Sequence, residues 1–517
     1  LRKQETHSAS LMTDLGLYRL RGALETDTNT TKMSYLKNLE KERQYSQAKV
    51  VATIGPACRN EETLTAMMKA GVDVFRLNFS HGDYDLHAGS IRMIREIAGK
   101  LNLNISILAD LQGPKIRIGQ VEEGTVLEAG APFFLSTEPM TGTTQGASIG
   151  YYDLPKVVNE GEEILIDDGK IRLKVTGTNN ADRVETEVVN GGPLYSRKGV
   201  NLPQTYVSLP SLTEKDHRDA IFAMEQGVDW IGLSFVRKPQ DMKELRALVK
   251  QQGKEGQVSI LAKIEKPEVL GNIDQVLDCS DGIMVARGDL GVEVSFEQVP
   301  IIQKEVIRRA VAKGKPVVVA TQMLESMIHN FAPTRAEAND VANAVLDGAD
   351  AVMLSGETAV GEYPVESVKA MESIIRFTER KGFCYRPCKT PNPEDPDFTK
   401  EVVSYSAVQM ADSAQAEAIV LFAENKNEVM SVASYRPNCK IFVFTINPLL
   451  KSQLGFTWSA CVFPIEPMER TAQAAAYANE VLLREGRIHH GSRVVYLSHI
   501  PFHQRGESLN TIRLETC

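Results

Sequence analysis

Ser259-Ile-Leu-Ala-Lys-Ile-Glu-Lys-Pro267 is a run of β-type apolar residues that ends abruptly in charge. Val285-Ala-Arg-Gly-Asp-Leu-Gly291 follows it and does the same. Lys263 and Glu265 lie two apart, so on a strand both side chains project from one face. Asp289 comes just past Gly288, at the end of the next apolar run. One cation and two carboxylates at the ends of neighbouring buried strands are costly to desolvate unless they share a partner. A divalent metal holding an anionic substrate would be such a partner. An ion pair that only braces a barrel rim is the other reading.

Upstream, from Lys49, apolar runs at 50–55, 72–79 and 105–111 alternate with amphipathic helical patterns at 61–70 and 84–98. Continuous apolar strands separated by helices indicate parallel βα units. The rhythm breaks at Gly113-Pro114. As far as Leu209 the sequence is rich in glycine, with short β-like runs at 163–166, 171–175 and 183–189 between turn signals such as Asp167-Asp-Gly169. This predicts a small all-β domain inserted in a loop, where insertions are tolerated. The rhythm resumes at Ser211, where Thr213 and Asp216 form a capping-box pattern. Runs at 230–235, 259–264, 282–286, 316–321 and 351–354 bring the strand count to eight.

Eight strands close a (β/α)8 TIM barrel, and the pieces 47–113 and 211–385 hold about 240 residues against the ~250 typical of that fold. The expected class is α/β, with a TIM-barrel catalytic domain in those two pieces and an inserted β-barrel lid domain at 114–210. After a Pro-rich linker at 386–396, a C-terminal α/β open-sheet regulatory domain (386–517) is expected. Its strands are predicted at 418–422, 441–445, 460–463, 493–497 and 511–514, with helices over 402–413, 427–434 and 471–485. No helix separates the last two strands, which suits antiparallel pairing. Residues 1–46 read as a polar N-terminal extension with one short amphipathic helix over 35–45.

Composition excludes several function classes. A chain of 517 residues calls for about two to four domains. Apolar content of 43% and charged content of 24% are those of a soluble globular protein. A formal net charge of −9 argues against nucleic acid as a partner. No run approaches the roughly 18 apolar residues of a membrane helix, so no membrane partner is expected either. Seven scattered cysteines without a C-x-x-C pair suit reduced thiols and a cytoplasmic location, not a disulfide or zinc framework. The chain opens on Leu1 with a polar stretch, which is no signal peptide and leaves a preceding targeting segment open.

In barrels of this kind catalytic groups come from the C-terminal ends of several strands. The second run ends in Arg76, Asn78 and Ser80. The third ends in Asp110 and Leu111, followed past Gly113-Pro114 by Lys115 and Arg117. Later runs end in Ser234 and Arg237, in Lys263 and Glu265, in Arg287-Gly-Asp289, in Thr321-Gln322 and in Ser355-Gly-Glu357. Solvated loop ends account for one or two such clusters, hardly for seven. Arg76 and Lys263 suit phosphate or carboxylate oxygens. Glu265 and Asp289 suit a hard cation such as Mg2+ (or Mn2+). No His/Cys set supports zinc, no G-x-S-x-G elbow supports a serine hydrolase, and no G-x-x-x-x-G-K-[ST] loop is present. Phosphoryl or enolate chemistry with Mg2+ and a clamp of cations is the most economical reading.

Several strings resemble the pyruvate kinase family. They are Ala52-Thr-Ile-Gly-Pro56, Arg76-Leu-Asn-Phe-Ser-His-Gly82, Lys198-Gly-Val-Asn-Leu-Pro203, Ile264-Glu265, Met284-Val-Ala-Arg-Gly-Asp-Leu-Gly291, Ala320-Thr-Gln-Met-Leu-Glu-Ser-Met327 and Met353-Leu-Ser-Gly-Glu-Thr358. The resemblance runs from about residue 48 to the C-terminus. It implies a homotetrameric enzyme of the last step of glycolysis, moving phosphoryl from phosphoenolpyruvate to ADP. By resemblance, Glu265 and Asp289 bind Mg2+, and Lys263 stabilises the phosphoryl group and the enolate oxygen. Arg76 binds phosphoryl oxygens. Arg117 and Lys198, with Asn78, serve the nucleotide side. Backbone N–H groups near Gly288 and Asp289 receive the substrate carboxylate, and Thr321 takes part in protonating the enolate.

Two departures from the family pattern carry their own expectations. Members that need K+ carry Thr-Lys-Gly-Pro-Glu after the aspartate of the third strand, whereas here Asp110 is followed by Leu111-Gln-Gly-Pro-Lys115. The ammonium of Lys115, near the cation set of Asn78, Ser80, Asp110 and Leu111, then replaces the monovalent cation, and K+ is not required. Members activated by fructose 1,6-bisphosphate carry a hydroxyl- and glycine-bearing phosphate loop after the first C-terminal strand. Here that loop is Ala423-Glu-Asn-Lys-Asn-Glu428, in which Glu424 and Glu428 repel a sugar phosphate and only Lys426 attracts one. No tight activation through this loop is expected. Another Mg2+-dependent barrel enzyme, an aldolase or mutase, is the main alternative, and the inserted lid and C-terminal domain speak against it. A non-catalytic scaffold is the other, and Lys263, Glu265, Asp289 and Thr321 speak against that.

Overall fold

The computed structural model describes residues 46–381, 389–394, 396–499 and 509–517. The helix expected over 35–45 and part of the linker at 386–396 lie outside the described residues. Eight parallel strands close into a barrel. They are β1 (Lys49–Thr53), β2 (Val74–Asn78), β3 (Ser106–Asp110), β4 (Trp230–Leu233), β5 (Ser259–Ile264), β6 (Gly282–Ala286), β7 (Val317–Ala320) and β8 (Ala351–Leu354). Each neighbours the next in sequence, and β8 returns to β1 in register from Lys49↔Ala351 to Ala52↔Leu354. The eight expected runs are these eight strands.

Local signals set the element ends. Helix α1 (Glu61–Ala70) starts at Asn60, whose side chain accepts from the Thr63 amide, and stops at Gly71 with φ 122°. Helix α2 (Tyr84–Leu101) runs past the expected end at 98 and closes on Asn102 in the left-handed region. The capping box of Thr213 and Asp216 opens α3 (Glu214–Glu225) as predicted.

Period-two alternation sorts the strand residues into two cores. Ile260, Ala262 and Ile264 of β5 pack outward with Phe75 and Leu77 of β2 and Ile107 and Ala109 of β3, under the helices. Val51, Val74, Leu108, Leu261, Met284 and Val318 fill the barrel interior instead. Two residues further along β1, β2, β3 and β5, the inward positions turn polar: Thr53, Arg76, Asp110 and Lys263. The apolar layer is the floor of the site and the polar layer is the site.

A residue from the C-terminal region seals the floor from below. Phe456 is fully buried in the interior cluster and meets Trp230 edge-to-face, ring centroids 4.9 Å apart.

Between β3 and β4 lies a sheet in the order 200–201, 163–166, 171–178, 183–190, 132–136 and 146–148, antiparallel but for its last pair. The strands Pro132–Ser136 and Gly146–Ser148 escaped the sequence pattern, being short and opened by proline or glycine. The chain leaves the barrel at Gly113, where φ is +69° and a Cβ would sit 2.7 Å from the Phe235 ring.

The C-terminal sheet contains β9 (Ala418–Phe422), β10 (Lys440–Thr445), β11 (Ala460–Pro464), β12 (Arg493–Ser498) and β13 (Thr511–Thr516), in the order β11-β10-β9-β12-β13. Its last pair is antiparallel, as expected. Arg436 ties it to the barrel with a buried two-point ion pair to Asp350, at 3.0 and 2.8 Å.

Phe456→Ala opens a cavity beneath the polar layer. We expect a stability loss of about 3–5 kcal/mol in urea unfolding, the range for truncating a buried aromatic. A loss under about 1 kcal/mol would mean that the floor does not depend on this plug.

Candidate active site

The polar layer at the strand ends is organised by Lys263. Its ammonium is almost fully buried, 2.7 Å from Glu265 Oε1 and 3.2 Å from Asp110 Oδ1. It also donates to Ser234 Oγ at 2.7 Å. Arg76 approaches the same aspartate from β2, its Nε donating to Asp110 Oδ2 at 2.6 Å and its Nη1 to Thr53 Oγ1 at 3.2 Å. The second Glu265 oxygen accepts the Phe235 amide at 2.8 Å. Two cations and two carboxylates thus share one dry layer.

Their mutual field sets the charge states. Burial alone would lower the Lys263 ammonium, but the charges of Asp110 and Glu265 outweigh it and hold it well above the ordinary lysine value. Burial would raise the Asp110 carboxyl, and Lys263 and Arg76 instead bring it below the usual range. Glu265 goes the other way. Burial and the negative charge of Asp289 push its carboxyl up despite the contact with Lys263. A divalent cation bound to both carboxylates relieves that repulsion, so the donor set fits Mg2+ or Mn2+. Two carboxylates also suit an ion that takes its other oxygens from substrate and water. Among the described residues no group of three or more His, Cys, Asp or Glu is placed to cage a metal.

Asp289 and Gly288 lie in the first turn of α4 (Arg287–Glu293), which begins where β6 ends. The Gly288 amide donates to Thr321 Oγ1 at 2.7 Å, so that N–H is engaged within the protein here. The Thr321 hydroxyl donates to the Ala320 carbonyl at 2.6 Å. Its φ of 70° is a rare conformation for a β-branched residue.

Lys115 reaches Asp289, Nζ to Oδ1 at 3.1 Å, and not the set of Asn78, Ser80, Asp110 and Leu111. Within that set, Asn78 Oδ1 accepts the Ser80 amide and the Leu111 carbonyl accepts the Ser234 hydroxyl. Arg117 and Lys198 belong to the lid. Arg117 Nη1 donates to the Arg197 carbonyl, and Lys198 pairs with Asp167 at 2.8 Å. Neither touches the buried layer in this arrangement, and Lys198 is more than a third exposed.

Of the hydroxyls that seat Lys263 and Arg76, sequence reasoning placed Ser234 at a strand end without a role and left out Thr53. Both stand at inward positions at the ends of their strands, which is the signal that would have found them. In the loop 423–428, Lys426 is committed elsewhere. Its Nζ lies 2.9 Å from both Asp281 Oδ1 and Ser259 Oγ, at the starts of β6 and β5. Glu428 is buried and accepts the Glu424 amide at 3.0 Å.

A barrel whose inward layer turns from apolar to a lysine held by two carboxylates, with cations waiting on an inserted lid, belongs among the phosphotransferases. The family described as pyruvate kinase, barrel domain, matches residues 45–368, and pyruvate kinase, alpha/beta domain, matches residues 401–515. A pyruvate kinase of Corynebacterium glutamicum is 42% identical over 457 residues, 88% of this chain and 94% of that protein. One of Bacillus licheniformis is 42% identical over 451 residues, 87% of this chain and 77% of that protein. A crystal structure of a pyruvate kinase from Cryptosporidium parvum superposes with a TM-score of 0.84 at 33% identity, covering 93% of this chain and 97% of that one. The chain belongs to the pyruvate kinase family.

Ser234→Ala removes the one neutral partner of the Lys263 ammonium among the described residues and frees the Leu111 carbonyl. We expect kcat to fall about ten-fold, the cost of a bond to a buried charge, with KM for ADP unchanged. Steady-state kinetics checks this. An unchanged kcat would show that the two carboxylates alone seat the lysine.

Proposed function

We propose that the enzyme transfers phosphoryl from phosphoenolpyruvate to ADP, giving pyruvate and ATP, at the layer built around Lys263. The observation that carries this is the buried ammonium beside a carboxylate pair whose repulsion calls for a divalent cation. Mg2+ or Mn2+ on Glu265 and Asp289 would supply the positive charge that draws substrate oxygens together and stabilises charge developing on them. Lys263 and Arg76 neutralise the phosphoryl oxygens, and Lys263 also faces the enolate oxygen left when the P–O bond breaks. Arg117 and Lys198, with Asn78, hold the nucleotide phosphates from the lid side. Substrate carboxylate binds at the start of α4, near Gly288 and Asp289. Thr321 takes part in delivering the proton to the enolate carbon. Lid closure excludes water, which otherwise competes with ADP.

Three finer assignments go with this reading. The barrel comprises 47–113 and 211–385, the lid 114–210 and the regulatory domain 386–517, after an N-terminal extension of 1–46. The enzyme is a cytoplasmic homotetramer; no described helix is long and apolar enough to cross a membrane. K+ is not required, because the Lys115 ammonium already supplies a fixed positive charge, paired with Asp289 until a metal takes that carboxylate.

The test is pyruvate and ATP formation from phosphoenolpyruvate, ADP and Mg2+ with tetramethylammonium as the only monovalent cation. We expect full activity before KCl is added, and Lys115→Glu to become K+-dependent. Activity that appears only with K+ would discard Lys115 as the replacement; none with or without K+ would discard the enzymatic assignment.

The loop 423–428 is proposed not to bind fructose 1,6-bisphosphate, since its one cation is engaged by Asp281 and Glu428 fills the turn with negative charge. Micromolar fructose 1,6-bisphosphate is expected to leave the substrate saturation curve unchanged. A saturable activation abolished by substitutions in 423–428 would overturn this.

A further inference from the structure

We propose that Glu293 is a positioning residue that locks the Lys198-bearing limb of the lid to the helix that carries Asp289. Glu293 closes the last turn of α4, and its side chain is 2% exposed. One of its oxygens accepts from two directions, from Lys266 Nζ at 2.6 Å and from Asn201 Nδ2 at 2.7 Å. Lys266 directly follows Glu265, and Asn201, itself buried, stands three residues after Lys198. A single carboxylate oxygen therefore joins the strand end of one metal-binding carboxylate, the helix of the other, and the lid limb.

Sheet pairing fixes that limb within the lid, but little else fixes it to the barrel. Among the described residues, the bond from Asn201 is the one side-chain hydrogen bond between 197–201 and a barrel residue; Lys198 and Arg197 find their partners inside the lid. A cavity of about 30 Å³ lies beside it, lined by Lys115, Asn201, Arg237 and Lys266 among others. Close packing does not hold the limb on that side. The buried, charge-assisted bond does. Lys266 makes it possible by neutralising a carboxylate that would otherwise be costly to bury. The latch sets how far Lys198 stands from the groups around Asp289, and so how well the closed lid meets ADP and shuts out water.

This rests on assigning Lys198 to the nucleotide phosphates. The test compares Glu293→Gln, Asn201→Ala and Lys198→Met for KM of each substrate and for pyruvate formed per ATP. In Glu293→Gln and Asn201→Ala we expect KM for ADP to rise about ten-fold while KM for phosphoenolpyruvate stays within two-fold. The pyruvate-to-ATP ratio should exceed one, as water in place of ADP takes the phosphoryl group and leaves inorganic phosphate. The double variant Asn201→Asp/Glu293→Gln, in which amide and carboxylate trade places, should restore both values. A wild-type KM for ADP and a ratio of one in Asn201→Ala would overturn the latch, whatever the stability of Glu293→Gln. The assignment of Lys198 falls with it only if Lys198→Met is also without effect.

Discussion

The structure of the site depends on burying one ammonium. Lys263 has almost no access to water, and taking such an ion out of water costs several kcal/mol even after relaxation. The barrel meets that cost by placing Asp110 and Glu265 on either side of it and Ser234 against it. Asp110 is held in turn by Arg76, so the dry layer carries two positive and two negative charges and is neutral overall. A neutral layer orients an anion but does not attract one. On the proposed function, the surplus positive charge that a phosphorylated substrate and a nucleotide require would come from partly exposed groups, namely Lys115 and the lid cations, and from a divalent metal. On that reading the catalytic geometry is fixed in the barrel, and binding charge is left to parts that exchange partners.

The same strands are gripped at their other ends. Lys426 of the C-terminal domain binds Ser259 and Asp281, the starts of β5 and β6, whose ends carry Lys263, Glu265 and the helix of Asp289. Phe456 fills the barrel floor between them. Arg436 and Asp350 form a second buried tie beside β8. The C-terminal domain is therefore part of what holds the catalytic strands in register. A movement of that domain would bear on strand starts, four residues from Lys263 along β5 and eight from Asp289 beyond β6.

Much of this was legible in the chain because a barrel strand has a period of two. Lys263 and Glu265, two apart after an apolar run, had to share the inward face, and Arg76, Asn78 and Asp110 followed the same rule. The strand count, the lid's place after β3 and the antiparallel final pair were readable for similar local reasons. Partners were not. Nothing in the sequence near Lys115 says that it meets Asp289, 174 residues away, and not its neighbours in the loop. Lys426 looked like the one cation free to meet an effector, because Asp281 lies 145 residues earlier. Glu293 drew no notice for the same reason. Which charge meets which is decided by the closing of the barrel, and sequence spacing carries no trace of it.

Thr321 shows how these constraints combine. Its left-handed backbone costs on the order of 1–3 kcal/mol, and only a surrounding structure that over-determines it keeps it there. Arg287 supplies that restraint, donating to the Thr321 carbonyl at 2.7 Å and the Gln322 carbonyl at 3.3 Å while Asp340 anchors it at 2.7 Å. The strained turn brings the Thr321 hydroxyl to the Gly288 amide, at the start of the helix that carries Asp289. Backbone and oxygen are therefore fixed before any substrate arrives. What can still turn is the hydroxyl proton, here donated to the Ala320 carbonyl. Redirecting it takes a rotation about one C–O bond and no movement of the chain. Arg287 holds the strained turn and with it the oxygen in place, so that in the proton delivery proposed for Thr321 only a proton would need to move.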